Sequence, residues 1–350
     1  MADRKADAKA GSATRRIKWL GGFVLVLIAG YTALWFFLAG RLESGVEDAI
    51  AGAAANGTTI ECADRDVRGY PFRLGLFCER TVVQAPGAVV EAGAFRSAAQ
   101  IYRPGLVISE LDGPFELSAE GVTASGDWQQ ARASTRFGTE QLQLGTFRMD
   151  DASLTFDVAG GAPIGAALGS LTASVRPNGA NLDLALDAFD FDAEPIAGRD
   201  APPLDLSLDA TLGDAAGAVA YAGEPIDTLR GRDVELRRLE IGLREGGRVV
   251  SEGAVSIDAS GLASGEVTVS FTDLDATLET IATLVPEAAS QIELIRPVLG
   301  QAGGGLLANA LGGGKDADAP TAGTTRVTIA LDRGRARVGI LPIGYLPPLP

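Results

Sequence analysis

The 350-residue chain contains no histidine. That removes the commonest general base near neutral pH, the Ser-His-Asp arrangement, and every zinc site that uses an imidazole. No G-x-S-x-G, P-loop or G-x-G-x-x-G pattern occurs. Glycine-rich runs are present, but none follows a strand and opens a helix as a phosphate cradle requires. Aromatic residues make up only 6% of the chain and cysteine appears twice. Basic charge is also short, with 30 Lys and Arg against 45 Asp and Glu. An acidic balance of this size argues against nucleic acid as a partner.

The one long hydrophobic run sets the rest of the reading. From Trp19 to Ala39 the chain has 21 consecutive uncharged residues. At ~1.5 Å rise per residue, such a helix spans the ~30 Å hydrocarbon core of a bilayer. Trp19 at one end and Tyr31, Trp35, Phe36 and Phe37 toward the other match interfacial aromatic belts. Residues 1–18 carry six basic and two acidic groups, which leaves a net charge of −19 on the remainder. Positive charge stays on the cytoplasmic side, so the expected organisation is a cytoplasmic tail (1–18), an inner-membrane span (19–39) and a periplasmic domain (40–350). "TRRIKWL" also fits a twin-arginine signal, but the apolar run is longer than a signal core and no small-x-small cleavage site follows it closely.

Outside the membrane, thiols can be oxidised and kept so. Cys62 and Cys78 flank "RDVRGYPFRLGLF", a Gly-Tyr-Pro corner between two strand-like stretches. A hairpin centred on Tyr70 would place Ile60, Cys62, Phe72, Leu74, Leu76 and Cys78 on one face and make the cysteines cross-strand neighbours. A structural disulfide is the expectation. Two free buried thiols are the bland alternative, and a redox pair is disfavoured by a spacing far from C-x-x-C.

Beyond the corner the sequence reads as mainly β with minor α: one long, curved, antiparallel sheet with two or three short helices, preceded by the membrane helix. "LDLSLDATL" puts Leu204, Leu206, Leu208 and Leu212 on one face, and Asp205, Ser207, Asp209 and Thr211 on the other. "NLDLALD" repeats this with Leu182, Leu184 and Leu186, and Phe189 then falls out of phase, which predicts a bulge near Ala188. Stretches 115–120, 153–158, 266–271 and 326–331 have the same half-apolar character. Asp150-Asp151, Pro177-Asn178-Gly179, Gly246-Gly247 and Arg333-Gly334 read as turns. At the last, a two-residue loop aligns Val327, Ile329 and Leu331 with Ile340, Val338 and Ala336. Helices are expected over 41–57, over 273–285 with Asp275 as N-cap, and around Ala288–Leu299. A linker follows at 312–324, and 194–203 marks a possible subdivision. Four prolines in the last nine residues favour an extended edge segment over a central strand; an SH3-type ligand is the sharper alternative.

Carboxylates are the only abundant reactive groups. Asp183/Asp187 and Asp205/Asp209 invite comparison with a glycosidase acid pair, and Asp150-Asp151 with a calcium ligand pair. Each has a simpler reading, the solvated face of a strand or a turn. No catalytic residue, metal site or cofactor is expected.

"RGYPFRLGLFCE" and the closing "LDRGRARVGILPIGYLPPL", with the basic tail, single span and short helix, resemble an alphaproteobacterial envelope family known as domain of unknown function 2125. The resemblance implies an envelope compartment and a sheet architecture with a loose likeness to AsmA-type proteins of the lipid-transport kind. It implies no catalytic residue or ligand. Two classes of function are expected from these residues. One is a non-catalytic envelope protein whose sheet offers Leu182, Leu184, Leu186, Leu204, Leu206 and Leu208 as an apolar groove to lipid or another hydrophobic ligand. The other is an anchored scaffold that engages envelope proteins. An ordinary core built from the same leucines competes with the first.

Overall fold

The computed structural model describes residues 4–139, 141–158, 161, 163–192, 203–220, 228–243, 247–284, 293 and 324–349. Helix α1 runs unbroken from Arg4 to Ala55. The stretch expected as a separate short helix after residue 40 is therefore a continuation of the apolar one, because no proline interrupts residues 19–55. The helix stops where Asn56-Gly57 directs it to. Gly57 takes φ 82° and the Thr58 N–H donates to the Ala53 carbonyl at 3.0 Å.

Nineteen strands follow among the described residues, all in one antiparallel sheet. The first eight are β1 (Thr59–Ala63), β2 (Asp66–Arg68), β3 (Arg73–Cys78), β4 (Arg80–Ala85), β5 (Ala88–Ala92), β6 (Phe95–Gln100), β7 (Arg103–Leu111) and β8 (Phe115–Ala119). They are four long strands, each interrupted once: β1–β2, β3–β4, β5–β6 and β7–β8. The pairings β1·β4 and β2·β3, then β4·β5 and β3·β6, then β5·β8 and β6·β7 stack the four as a meander. Both halves of the fourth pair with β9 (Val122–Phe137).

From there the meander continues through β10 (Leu142–Val158), β11 (Ile164–Asn178), β12 (Asn181–Phe191), β13 (Leu204–Leu212), β14 (Asp233–Leu243), β15 (Arg248–Ile257), β16 (Ala263–Thr272), β17 (Thr324–Asp332), β18 (Arg335–Val338) and β19 (Leu341–Tyr345). Strands β12 and β13 pair across the 194–203 segment. A four-residue 3₁₀ turn, Ala216–Val219, and helix α2 (Leu274–Leu284) complement the sheet. Apart from Glu293, the helix expected around 288–299 lies outside the described residues, as does the expected linker at 312–324 up to Thr324, which opens β17.

The interruptions line up. Following the ladders, Asp64, Glu79, Ala94, Asp112-Gly113, Gln129, Asp151, Gly169 and Asp190 fall at one level across eight neighbouring strands. Asp64, Asp151 and Asp190 adopt positive φ of 50°, 48° and 55°. A Cβ at Gly169 would come within 2.9 Å of the Asp190 Cβ, so glycine is required where that neighbour closes in. At this seam two consecutive residues face solvent, as in Ala63/Asp64, Glu79/Arg80, Gln129/Gln130 and Phe189/Asp190. Each strand thus slips one residue in its alternation. Apolar positions run Leu168 then Leu171, and Ala188 then Phe191, while staying on one side of the sheet.

Several expectations change in consequence. Asp150-Asp151 is no turn; it sits inside the 17-residue β10, at the seam. The first hairpin pairs Arg68 with Gly75 and Cys62 with Thr81, a register three residues away from one centred on Tyr70. The reason is the corner itself: the Arg73 N–H bonds the Gly69 carbonyl at 2.9 Å, and Phe72 becomes part of the tip, 66% exposed. The two cysteines, no longer opposite one another, meet across the seam with Cα atoms 5.1 Å apart and sulfurs at bonding distance. Helix α2 is capped by Asp273, not Asp275, through its carboxylate and the Ala276 N–H at 3.2 Å. At Arg333-Gly334 the pairs Leu331–Ala336 and Ile329–Val338 form, but Ile340 lies beyond β18 and is 87% exposed. The bulge near Ala188, the Asn178-Gly179 turn and the paired edge strand at the tail are present.

Thiol labelling of unreduced, denatured protein is expected to find no free cysteine. Cys62→Ser should lower stability by about 3 kcal/mol, the chain-entropy value for a loop of this length. Two labelled thiols would contradict the bridge.

Candidate functional site: an apolar sheet face

Residues directly opposite in a sheet share a face, so the ladders define rows. One row crosses twelve strands as Leu76, Ser97, Ser109, Ala133, Phe147, Ala173, Leu186, Leu208, Leu239, Ser251, Val269 and Val327. The row on one side runs from Leu74 and Ala99 through Val175, Leu184, Ala210 and Leu236 to Val267 and Ile329. The row on the other side runs from Cys78 and Phe95 through Met149, Leu171, Ala188, Leu206 and Ile241 to Phe271. Three rows of twelve positions contain no charged residue. At ~4.8 Å between strands this surface is about 50 Å long.

A second irregularity protects it. In β14, Arg237 and Arg238 together oppose Asp209, while Leu236 and Leu239 keep their places opposite Ala210 and Leu208. Two arginines in succession would put one into the apolar rows; the bulge sends both to the other face.

That other face holds the charges. Glu110 bridges Arg96 at 3.5 Å and Arg132 at 2.7 Å, and Arg96 reaches Asp112 at 2.5 Å. Further along, Asp183 binds Arg176 at 2.8 Å, Arg237 at 3.4 Å and the Thr211 hydroxyl at 2.8 Å. Arg237 also pairs with Asp209. The Arg176 hydrogen bond, helped by Thr211, Asn178 and Arg237, lowers the Asp183 pKa to about 2 despite its burial. Asp209 is lowered too, chiefly by Arg237. A glycosidase-type acid needs a raised pKa. Both shifts run the opposite way, and Asp187 and Asp205 serve the Ser207 hydroxyl and the Asp190 N–H. Among the described residues no group of three or more acidic or cysteine side chains could hold a metal ion.

Of the six leucines expected to line a groove, Leu184, Leu186, Leu206 and Leu208 lie in the three rows, half-buried. Leu204 stands at the end of the face opposite Leu243 and Phe191. Leu182 does not line an open surface. It is 4% exposed, in a small cluster with Leu212 and Ala215 that Val175, Leu184, Val219, Leu229 and Val234 complete. Leu74, Leu76 and Cys78 of β3, placed on one face by their alternation, are in the rows as well. The rest of the face, on β6, β7, β9, β10 and β11, escapes a search for clean alternation, since the strands there slip phase at the seam. Recurrent apolar pairs three residues apart, such as Ala92/Phe95, Trp128/Ala131, Met149/Ala152 and Leu168/Leu171, carry the signal.

Fold and site together define a class: a single-sheet protein with one apolar and one charged face, joined to a helix long and apolar enough to cross a membrane. Residues 35–347 match the family described as an uncharacterized protein conserved in bacteria (DUF2125), and the chain belongs to it. No curated protein and no solved structure matches.

Asp183→Asn should cost about 1–2 kcal/mol at neutral pH after solvent screening. The folded pKa is depressed, so this stability is present above the unfolded value of about 3.9 and is lost as pH falls toward 2. Denaturant melts of both proteins should therefore converge near the acid end. A constant gap across that window would rule out the ion-pair origin.

Proposed function

We propose that this is a non-catalytic, single-pass membrane protein whose sheet binds, and hands along its length, the acyl chains of lipid or a lipid-like envelope ligand. Export of the sheet to the periplasm follows from the basic tail and belongs to the same proposal. The observation that carries it is the run of three uncharged rows across twelve strands. At ~7 Å between rows the strip covers roughly 50 × 20 Å, more than the few hundred Å² of contiguous apolar surface that a soluble monomer ordinarily leaves open. Among the described residues the fully buried side chains are few and small, with Thr277 the largest, which supports a half-open face over an ordinary core. Aliphatic and small side chains, with few rings, offer flexible hydrocarbon a smooth surface on which scattered hydroxyls such as Ser97, Ser109 and Ser251 are the polar groups and none is charged.

The scaffold reading rests on the other end of the chain, where Ile340, Ile343 and Tyr345 of the edge segment are 87%, 53% and 59% exposed. It explains that tail and leaves the twelve-strand face without a role.

Full-length protein purified in mild detergent should carry lipid detectable by mass spectrometry. A photocrosslinker at Leu184 or Leu206 should capture it, whereas the same probe at Asp205 on the charged face should not. Lipid-free protein whose two leucine probes react only within the chain would favour the scaffold.

A further inference from the structure

Helix α1 and the sheet touch at an unexpected height. The Tyr31 hydroxyl donates to the Pro71 carbonyl at 2.5 Å, and the Trp35 indole N–H donates to the Arg73 carbonyl at 2.8 Å. Thr32 and Tyr70 share a hydroxyl–hydroxyl hydrogen bond of 2.8 Å. Trp35, 5% exposed, packs edge-on to Tyr70 with centroids 5.6 Å apart, and Phe36 stacks on the same ring at 6.4 Å. The residues that receive the Gly-Tyr-Pro corner belong to the apolar run that ends at Ala39. Tyr31 precedes Ala39 by eight residues, about 12 Å along a helix. Charged residues up to Lys18 fix the other end of the span. If residues 19–39 cross the bilayer, the corner lies below the level at which the helix leaves it.

We propose that the hairpin tips at Tyr70–Phe72 and Ile101–Arg103 are immersed in the membrane leaflet nearest the sheet, so that the apolar face opens directly into lipid. The two tips adjoin, since the Ile101 N–H bonds the Phe72 carbonyl at 3.2 Å. Phe72 and Tyr102 are 66% and 67% exposed, more than any other described ring of the sheet. Within an acidic protein, residues 67–75 and 97–108 hold Arg68, Arg73 and Arg103 and no carboxylate. Rings flanked by arginines suit the boundary of acyl chains and lipid phosphates. The hydrogen bonds fit the same solvent. Carbonyls entering lipid are costly unless paired, and the helix supplies partners for those of Pro71 and Arg73.

The inference rests on the reading of α1 as a membrane span, and its test separates the two. Full-length protein carrying a diazirine amino acid at one position is reconstituted into vesicles of phosphatidylethanolamine and phosphatidylglycerol and irradiated. Probes replacing Phe72 or Tyr102 should give lipid adducts at about the yield of a probe at Leu27 in mid-helix, and one at Glu120, on a tip at the opposite end of the sheet, should give none. Arg73→Glu with Arg103→Glu should reduce the Phe72 yield without altering the melting temperature in detergent. Lipid adducts at Leu27 but water quenching or protein adducts at Phe72 and Tyr102 would overturn the immersion and leave the span intact. Absence of adducts at Leu27 as well would remove the span, and the inference with it.

Discussion

The structure depends on one constraint: every strand must keep its apolar side chains on the same side of a very wide sheet. Alternation with period two satisfies this only while strands stay regular. The first eight long strands are not regular, and an isolated bulge in any of them would turn half of its residues to the wrong face. Here the irregularities are in register. Asp64, Asp151 and Asp190 take left-handed backbone at one level, with Glu79, Ala94 and Gly169 among the residues of the strands between. The slip is therefore shared, and the face survives it. The Cys62–Cys78 link sits at the end of this line, where only β1–β2 and β3–β4 hold the sheet margin.

Keeping one face free of charge has an electrostatic counterpart. An acidic chain must hold its carboxylates somewhere, and nearly every ion pair lies on the opposite face, in ladders such as Arg96–Glu110–Arg132 and Arg176–Asp183–Arg237. Most of these pairs are exposed and add little stability. Their importance is in placement: the bulge at Arg237-Arg238 admits two arginines without either entering the rows. The apolar face begins at hairpin tips that α1 grips through Tyr31 and Trp35.

Much of this was legible in the sequence. Leu204 to Leu212 alternate without interruption, and β13 is a regular strand beyond the end of the seam. The helix long and apolar enough to cross a membrane is equally plain. Symmetry about Tyr70 puts the first hairpin three residues out of register because it ignores the Gly69–Arg73 hydrogen bond that sets the tip. Asp150-Asp151 looked like a turn because aspartate tolerates left-handed backbone in turns and in bulges alike. Only a comparison of neighbouring strands shows which applies. The apolar face of β6 to β11 is hidden for the same reason: small residues and a phase slip blur each strand taken singly, and only their common register makes one surface of them.

That shared register is the central claim, and a nitroxide scan along β11 tests it most directly. Spin labels carried by a ketone amino acid, with the native cysteines untouched, would be placed singly at positions 164–175 of the membrane-reconstituted protein. Relaxation by oxygen and by an aqueous nickel chelate would then be compared at each. The account predicts that 164, 166, 168, 171, 173 and 175 share the apolar signature and that 165, 167, 170, 172 and 174 face water. An unbroken alternation, with 170, 172 and 174 joining 164, 166 and 168, would contradict it.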